Sequence, residues 1–229
     1  MKPSWRSELP LLLLLTAMFV LAAVSWSTAP AQIPVHWGLK GNVDRYAGRV
    51  EGLLMQPLLA AFVYALMLVL PKIDPGRANY ARFSGTYYAI RASVLTVLAL
   101  IYGVIHLAIR GYPIDIPRSI GLIVGGIFFV LGNLLGKIRP NWFVGVRTPW
   151  TLSSKLSWTH THRAAGWVFI LGGIAVMAAG VFQTAFAAWA AFVVMGGGIV
   201  GTVIYSYLVW RKDPDRVPPA GTLPTNDGA

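Results

Sequence analysis

The chain has 229 residues, of which 56% are hydrophobic and only 12% charged, and this composition excludes an ordinary soluble domain. It contains no cysteine, so neither a disulfide framework nor a thiolate metal site can form. The formal net charge of +11 would suit nucleic acid. Basic residues on a membrane protein are explained first by topology and by anionic lipid headgroups, so we expect no direct contact with nucleic acid.

Six apolar runs are each close to the roughly 20 residues that a helix needs to cross a bilayer. Helices are required because lipid offers no partner to an unpaired backbone amide. The sequence therefore predicts an all-α integral membrane protein, a bundle of six transmembrane helices that forms one domain over residues 1–210. The predicted spans are Leu9–Trp26, Leu53–Leu70, Ala92–Ile109, Ile120–Gly136, Ala164–Phe182 and Ala185–Val209.

The first run also resembles a cleavable signal peptide, because Lys2 and Arg6 precede it and Ala29-Pro30-Ala31 follows it. Its apolar stretch is longer than the roughly 7–15 residues typical of a signal sequence. Cleavage would also leave an odd number of spans and place the two chain ends on opposite sides. We therefore interpret residues 1–31 as retained, and a mature protein that begins at Gln32 would contradict this.

The distribution of Lys and Arg predicts the orientation of the bundle. With the N-terminus in the cytoplasm, 14 of the 19 basic residues lie on the cytoplasmic side. Both termini are therefore predicted to be cytoplasmic, and the proline-rich segment 211–229 to be a disordered cytoplasmic tail. The spans contain no acidic residue, which argues against a transporter coupled to protons or sodium through a carboxylate in the membrane.

Glycines at close-approach spacing are predicted to be positions where helices pack, because small residues let transmembrane helices approach one another. They form three pairs: Gly121/Gly125, Gly132/Gly136 and Gly197/Gly201.

The loop between the first two spans, residues 29–52, is too polar for membrane and is predicted to be a structured outer loop. Gly41 and Asn42 both tolerate positive φ, so a turn there would bring His36 back toward Asp44. One interpretation is a rigid hairpin that rests on the bilayer. The other is a small recognition site outside the cell, with His36 and Asp44 as its polar pair.

A second polar segment, residues 133–163, connects spans four and five and is predicted to be an amphipathic inner loop. Thr148-Pro149 is typical of a helix start, because threonine caps exposed amides and proline is tolerated at the first helical position. If the segment stays helical toward span five, Trp158 and His162 share one face. The interpretations left open are an anchored connector and a binding surface.

The inner loop lacks the residues that catalysis or metal binding would need. His160 and His162 point to different sides of a helix, and no cysteine or carboxylate lies nearby to complete a metal site. No Asp or Glu in the loop can orient a histidine beside its serines, so we predict no catalytic residue and no cofactor. Its arginines can stack on tryptophan or bind anions. The candidate binding residues are Asn133, Asn141, Arg147, Thr148, Pro149, Trp150, Trp158, His162 and Arg163.

The residues of both loops resemble the SdpI family of bacterial immunity proteins. In the inner loop the resemblance rests on Asn133, Lys137, Pro140-Asn141, Phe143, Gly145, the run 147–152, Ser154, Trp158, Thr161-His162-Arg163 and Gly166. In the outer loop, Ile33-Pro34, His36, Gly41 and Asp44 resemble the short motif of an uncharacterised domain that begins many SdpI-like proteins. Pro34, His36, Gly41 and Asp44 are therefore the candidate outer binding residues.

This resemblance implies a multipass protein of the bacterial cytoplasmic membrane that gives immunity to a secreted, membrane-active peptide toxin. It also implies a signalling role, in which the toxin-bound protein holds a small repressor at the inner face of the membrane. Its partners would be the lipid bilayer, the toxin and that repressor. The family supplies no catalytic residue. The alternative function, suggested by the glycine-rich spans, is transport or export of a small molecule or lipid.

Overall fold

The computed structural model describes residues 5–38 and 41–217, and six of its helices are long and apolar enough to cross a membrane. The predicted six-helix bundle is therefore confirmed. A π-helical turn, Val50–Leu54, precedes the second long helix, and a 3-10 helix, Arg77–Phe83, precedes the third. In chain order the other elements are α1 (Trp5–Ser25), β1 (Ile33–Trp37), β2 (Val43–Ala47), α2 (Met55–Ile73), α3 (Ser84–Ile109), α4 (Ile116–Leu135), α5 (Pro149–Leu152), α6 (Lys155–Phe182) and α7 (Ala185–Arg211).

The long helices extend beyond the apolar runs, and this changes one conclusion from the sequence. Because α1 begins at Trp5 and α3 at Ser84, both Glu8 and Arg91 lie within spans. The expectation that no span contains an acidic residue is therefore wrong. Arg91 donates to the Glu8 carboxylate, and both residues are buried. The carboxylate is tolerated there because the arginine and a Tyr64 hydroxyl at 2.8 Å satisfy it.

Helix α1 packs against the rest of the bundle through one face, where Leu11, Met18 and Ala22 are buried in one cluster with Leu53 and Tyr102. The Tyr102 hydroxyl donates to the Leu53 carbonyl at 2.7 Å and joins α3 to the turn before α2.

Helices α4 and α6 meet backbone to backbone where glycines face one another. A Cβ atom on Gly121 would lie 2.7 Å from the Cα of Gly180, and one on Gly132 would lie 2.7 Å from the carbonyl oxygen of Gly166. A Cβ atom on Gly125 would likewise lie 2.5 Å from the carbonyl oxygen of Gly173. The predicted packing role is therefore confirmed for Gly121, Gly125 and Gly132.

The same prediction is wrong for Gly197 and Gly201, where an added Cβ would meet nothing within 4 Å. Helix α7 instead packs on α6 through Gly198, which faces Val168, while Met195 covers Gly172. Sequence spacing identifies a small-residue stripe, but it does not tell which stripe faces the neighbour. At Gly136 the nearest neighbour is the side chain of Arg163, at 3.6 Å.

The outer loop folds into an antiparallel hairpin of β1 and β2, described over residues 33–38 and 41–47, which we call the outer hairpin. Gly41 has a φ of +80°, and the Gly38 N–H donates to the Asn42 carbonyl at 2.9 Å, so the predicted turn is confirmed. Fully buried Ile33 anchors the hairpin to the bundle, because a Cβ on Gly52 would lie 2.8 Å from it.

The opposite end of the bundle carries the connection between α2 and α3, the loop from 136 to 148, and the residues after α7. We call it the inner face, after the predicted orientation. The chain after α7 returns to this face, where the Val217 N–H donates to the Ser153 carbonyl at 3.0 Å. Residues 218–229 of the predicted disordered tail lie outside the described residues.

Candidate functional site

Asn141 folds the inner loop around its own side chain. It is 2% exposed, and its amide donates to the carbonyls of Arg139 and Val144 at 2.9 and 3.0 Å. Its side-chain oxygen accepts the N–H groups of Phe143 and Val144 at 3.0 and 2.7 Å. A buried amide with its donors and acceptor satisfied fixes a backbone shape that the loop would not hold alone.

Asp74, at the end of α2, braces this loop from outside. Its buried carboxylate accepts the Trp142 N–H at 3.0 Å, the Gly76 N–H at 2.6 Å and the Tyr80 hydroxyl at 2.8 Å. Asn79 adds a bond from its side chain to the Pro140 carbonyl at 2.8 Å. The geometry of the inner loop therefore depends on α2 and the 3-10 helix as well as on its own residues.

His162 clamps the loop to the start of α6. Its Nε2 accepts the Val146 N–H at 3.0 Å, and its Nδ1 donates to the Trp158 carbonyl at 2.8 Å. Gly145 passes over the ring with a φ of +109°, and a Cβ there would lie 2.2 Å from Nε2. Only glycine fits this position, because both the backbone conformation and the contact exclude a side chain.

Trp158 and His162 share a face, as the sequence predicts, and that face points inward. Their rings stack with centroids 4.0 Å apart, and each residue is 1% exposed. The Trp158 indole donates to the Ile138 carbonyl at 3.0 Å. These two candidate binding residues therefore support the loop from within and do not form its surface.

Thr148 begins α5 with a reciprocal cap, which confirms the predicted helix start. Its hydroxyl accepts the Thr151 N–H at 3.1 Å, and the Thr151 hydroxyl accepts the Thr148 N–H at 2.9 Å. Pro149 occupies the first helical position, where its missing N–H costs nothing. The Thr148 hydroxyl also lies 3.1 Å from that of Ser206, which joins the loop to α7.

Ser154 caps α6 and receives the chain that returns after α7. Its hydroxyl accepts the Ser157 N–H at 2.9 Å and donates to the Asp213 carboxylate. This hydrogen bond holds the pKa of Asp213 below its ordinary value. The residues after α7 are thereby docked against the inner loop.

The exposed part of the inner loop carries its arginines. Arg147 donates to the Trp142 carbonyl at 2.9 Å and remains exposed, as does Arg163. Trp150 is half-buried against Tyr207, with ring centroids 5.2 Å apart. Asn133 is also exposed and donates to the Phe129 carbonyl of its own helix at 2.8 Å.

A broad cavity of about 1740 Å³ opens on the inner face, beside α5 and the start of α6. Exposed basic side chains and His160 stand along its walls, which also include the capped start of α6 and the residues after α7. The basic residues are Arg82, Arg139 and Lys155. We call this cavity the inner groove.

The outer hairpin brings together the pair predicted outside the membrane. His36 Nδ1 lies 2.6 Å from Asp44 Oδ1, with 65% and 41% of the two side chains exposed. Pro34 is in β1 opposite Tyr46, and Gly41 lies against Pro117 at the start of α4. All the candidate residues of this loop therefore belong to one small, exposed structure.

No group of three or more His, Cys, Asp or Glu residues that could hold a metal ion occurs within residues 5–38 and 41–217. His162 is already bonded through both ring nitrogens, and His160 points into the inner groove.

Sequence reasoning missed Asp74, Asn79 and Ser206 as parts of the site. Asp74 and Trp142 are 68 positions apart, so no local pattern connects them. The sequence Asp74-Pro75-Gly76 was a turn signal, but it gave no partner for the carboxylate.

Two known protein families match the parts of the chain that contain the inner loop and the outer hairpin. The SdpI/YfhL protein family matches residues 137–207, which contain the inner motif except Asn133. A domain of unknown function, DUF1648, matches residues 13–61, which contain the outer hairpin. Immunity protein SdpI of Bacillus subtilis (strain 168) is 23% identical over 200 residues, which cover 85% of this chain and 91% of that protein. No solved structure matches the chain significantly. The resemblance to the SdpI family is thus confirmed, and the chain is an SdpI-like multipass protein of a bacterial membrane.

Proposed function

We propose that this protein gives its cell immunity to a secreted, membrane-active peptide toxin and reports the toxin to a small repressor at the inner face. The observation that carries the proposal is the extent of the likeness to Immunity protein SdpI, which covers 85% of the chain. A likeness of that length includes the outer hairpin, the bundle and the inner loop together.

The outer hairpin is the part of the molecule that suits toxin recognition. His36 and Asp44 are exposed and close together on the hairpin, so they offer a donor and an acceptor to a peptide. Tyr46, two residues after Asp44 in β2, is 54% exposed and adds an aromatic surface.

The inner groove suits a protein partner better than a small metabolite. Its volume of about 1740 Å³ exceeds the roughly 300–1,000 Å³ of typical small-molecule sites. Its walls carry Arg82, Arg139 and Lys155 beside the carboxylates of Asp213 and Asp215. With Arg147 on the inner loop and Arg163 in α6, basic side chains remain in excess and would favour an acidic segment of a cytoplasmic protein.

Helix α2 is the element best placed to couple the two sides. Gly52, just before it, is packed against Ile33 of the outer hairpin, and Asp74, just after it, holds Trp142 of the inner loop. A shift of α2 on toxin binding would therefore reach the inner loop directly, provided that the bundle has two arrangements that the toxin distinguishes.

Deletion of the gene in its native bacterium tests the immunity proposal. We expect the deletion strain to die when it receives culture supernatant from its own parent strain or from related bacteria, and a plasmid copy to restore survival. A deletion strain that survives every supernatant as well as its parent would refute the proposal.

A further inference from the structure

A second, smaller cavity lies between the inner ends of α2 and α3, apart from the inner groove. Its volume is about 240 Å³, which is below the roughly 300–1,000 Å³ of sites for drug-sized ligands. Met67, Leu68 and Pro71 form one wall, and Lys72, Arg77 and Arg91 supply three cations. A cavity of this size and charge suits a compact anionic group.

The positive charge of this cavity is only partly neutralised within the protein. Arg91 pairs with Glu8, but its Nε is buried and has no hydrogen-bond partner among the described residues. Lys72 and Arg77 are exposed and form no ion pair with any residue in 5–38 or 41–217. The side chains of Lys72 and Arg77 at the mouth of the cavity are therefore available to bind an anion, and buried Arg91 lies beneath them.

The surroundings of the cavity place such an anion at the boundary of the membrane. The apolar wall belongs to the last turns of α2, where Leu66 and Val69 remain 41% and 43% exposed on the spanning segment. Arginine and lysine are the usual ligands of phosphate, through charge-assisted hydrogen bonds. A phosphate in the cavity would have cations around it and an apolar helix surface beside it.

We propose that this cavity binds a phosphate group, carried by a phospholipid headgroup or free in the cytoplasm. The site is independent of the toxin and repressor proposals, since it uses neither the outer hairpin nor the inner groove.

Thermal unfolding of the purified full chain tests this site. A maltoside detergent is used because it carries no phosphate. Short-chain phosphatidylglycerol and inorganic phosphate are titrated separately at constant ionic strength. Diacylglycerol is the phosphate-free lipid control, and chloride is the control for the free anion. Ligands that bind only the folded state raise the unfolding midpoint with concentration, and this gives an apparent Kd.

Two double variants that each remove two positive charges from the inner face distinguish a defined phosphate site from non-specific electrostatic attraction between phosphate and that face. We expect Lys72→Gln/Arg77→Gln to weaken phosphate-dependent stabilisation by about tenfold or more, because each of its two substitutions removes a charge-assisted hydrogen bond to the phosphate. Arg82→Gln/Arg139→Gln should leave it within about twofold, since those arginines line the inner groove. Both variants keep Arg91, because this buried residue pairs with Glu8 inside the bundle and its loss would be expected to impair folding.

The titrations also identify the source of the phosphate. Stabilisation by phosphatidylglycerol alone assigns a lipid headgroup, and equal stabilisation by inorganic phosphate assigns free phosphate. The proposal is overturned if neither exceeds its phosphate-free control, or if Arg82→Gln/Arg139→Gln weakens binding as much as Lys72→Gln/Arg77→Gln.

Discussion

The Nε2 atom of His162 accepts the backbone N–H of Val146 at 3.0 Å, and this bond ties the inner loop to α6. Because Nδ1 of the same ring donates to the Trp158 carbonyl at 2.8 Å, the imidazole is neutral with its hydrogen on Nδ1. Both ring nitrogens are hydrogen-bonded to the backbone, so His162 shapes the loop.

Replacement of His162 by phenylalanine should keep the ring but remove both hydrogen bonds. It leaves the Val146 N–H without its acceptor, and we expect a loss of about 1–3 kcal/mol in the free energy of unfolding. Thermal or denaturant unfolding in detergent measures the loss, and faster tryptic cleavage after Arg147 reports that the loop is released.

His160→Phe is the matched control, since His160 lies on the same helix and is exposed. It should change the free energy of unfolding by less than about 0.5 kcal/mol. Equal effects of the two variants would contradict the role given to His162.

Gly132→Ala should destabilise the contact between α4 and α6. The added methyl would lie 2.7 Å from the Gly166 carbonyl oxygen, so the helices must separate, at a cost of about 1–3 kcal/mol. Gly197→Ala adds the same methyl where nothing lies within 4 Å, and it should be neutral or slightly stabilising. Unfolding midpoints of the two variants in one detergent make the comparison, and a reversed order would refute the packing assignment.

The absence of native cysteine makes the predicted orientation simple to test. Tyr46→Cys on the outer hairpin should react with a membrane-impermeant maleimide in intact cells. Lys155→Cys on the inner face should react only after the cells are permeabilised. The opposite pattern would invert the orientation and exchange the roles proposed for the two loops.

Docking of the residues after α7 should depend on ionised Asp213. The Ser154 hydrogen bond lowers the pKa of Asp213 in the folded protein. The stabilisation of the docked segment by the ionised carboxylate is therefore complete above the ordinary pKa of 3.8 and is lost as the pH falls below that value. A fluorophore on Val217→Cys should show low anisotropy when the position moves freely and high anisotropy when docked. We expect the anisotropy to fall on acidification, and Asp213→Asn to lower it already at neutral pH. An Asp213→Asn variant with unchanged anisotropy and the same acid response would contradict the account.

The six spans were predictable because hydropathy is a local property of the sequence. Their ends were not, since the first turn of α1 contains Glu8, which α1 buries only because Arg91 of α3 satisfies it. A polar residue at the end of an apolar run is read as a loop until its partner in another helix is known.

In the inner loop too, features set by neighbouring residues could be predicted, whereas features set by contacts across the bundle could not. The cap at Thr148 follows from neighbouring residues and was predicted, as was the shared face of Trp158 and His162. The direction of that face and the brace from Asp74 depend on contacts across the bundle, so the sequence could not distinguish a residue that supports the loop from one that presents its surface.

Survival under toxin challenge of cells with His36→Ala or Arg147→Ala tests the two-sided account most directly. The deletion strain carries each variant at equal membrane abundance, with Tyr112→Ala, an exposed aromatic outside both loops, as the control. We predict that His36→Ala and Arg147→Ala protect less well than the wild-type chain, whereas Tyr112→Ala protects fully. Full protection by both His36→Ala and Arg147→Ala would contradict the assignment of the outer hairpin and inner loop as the working surfaces.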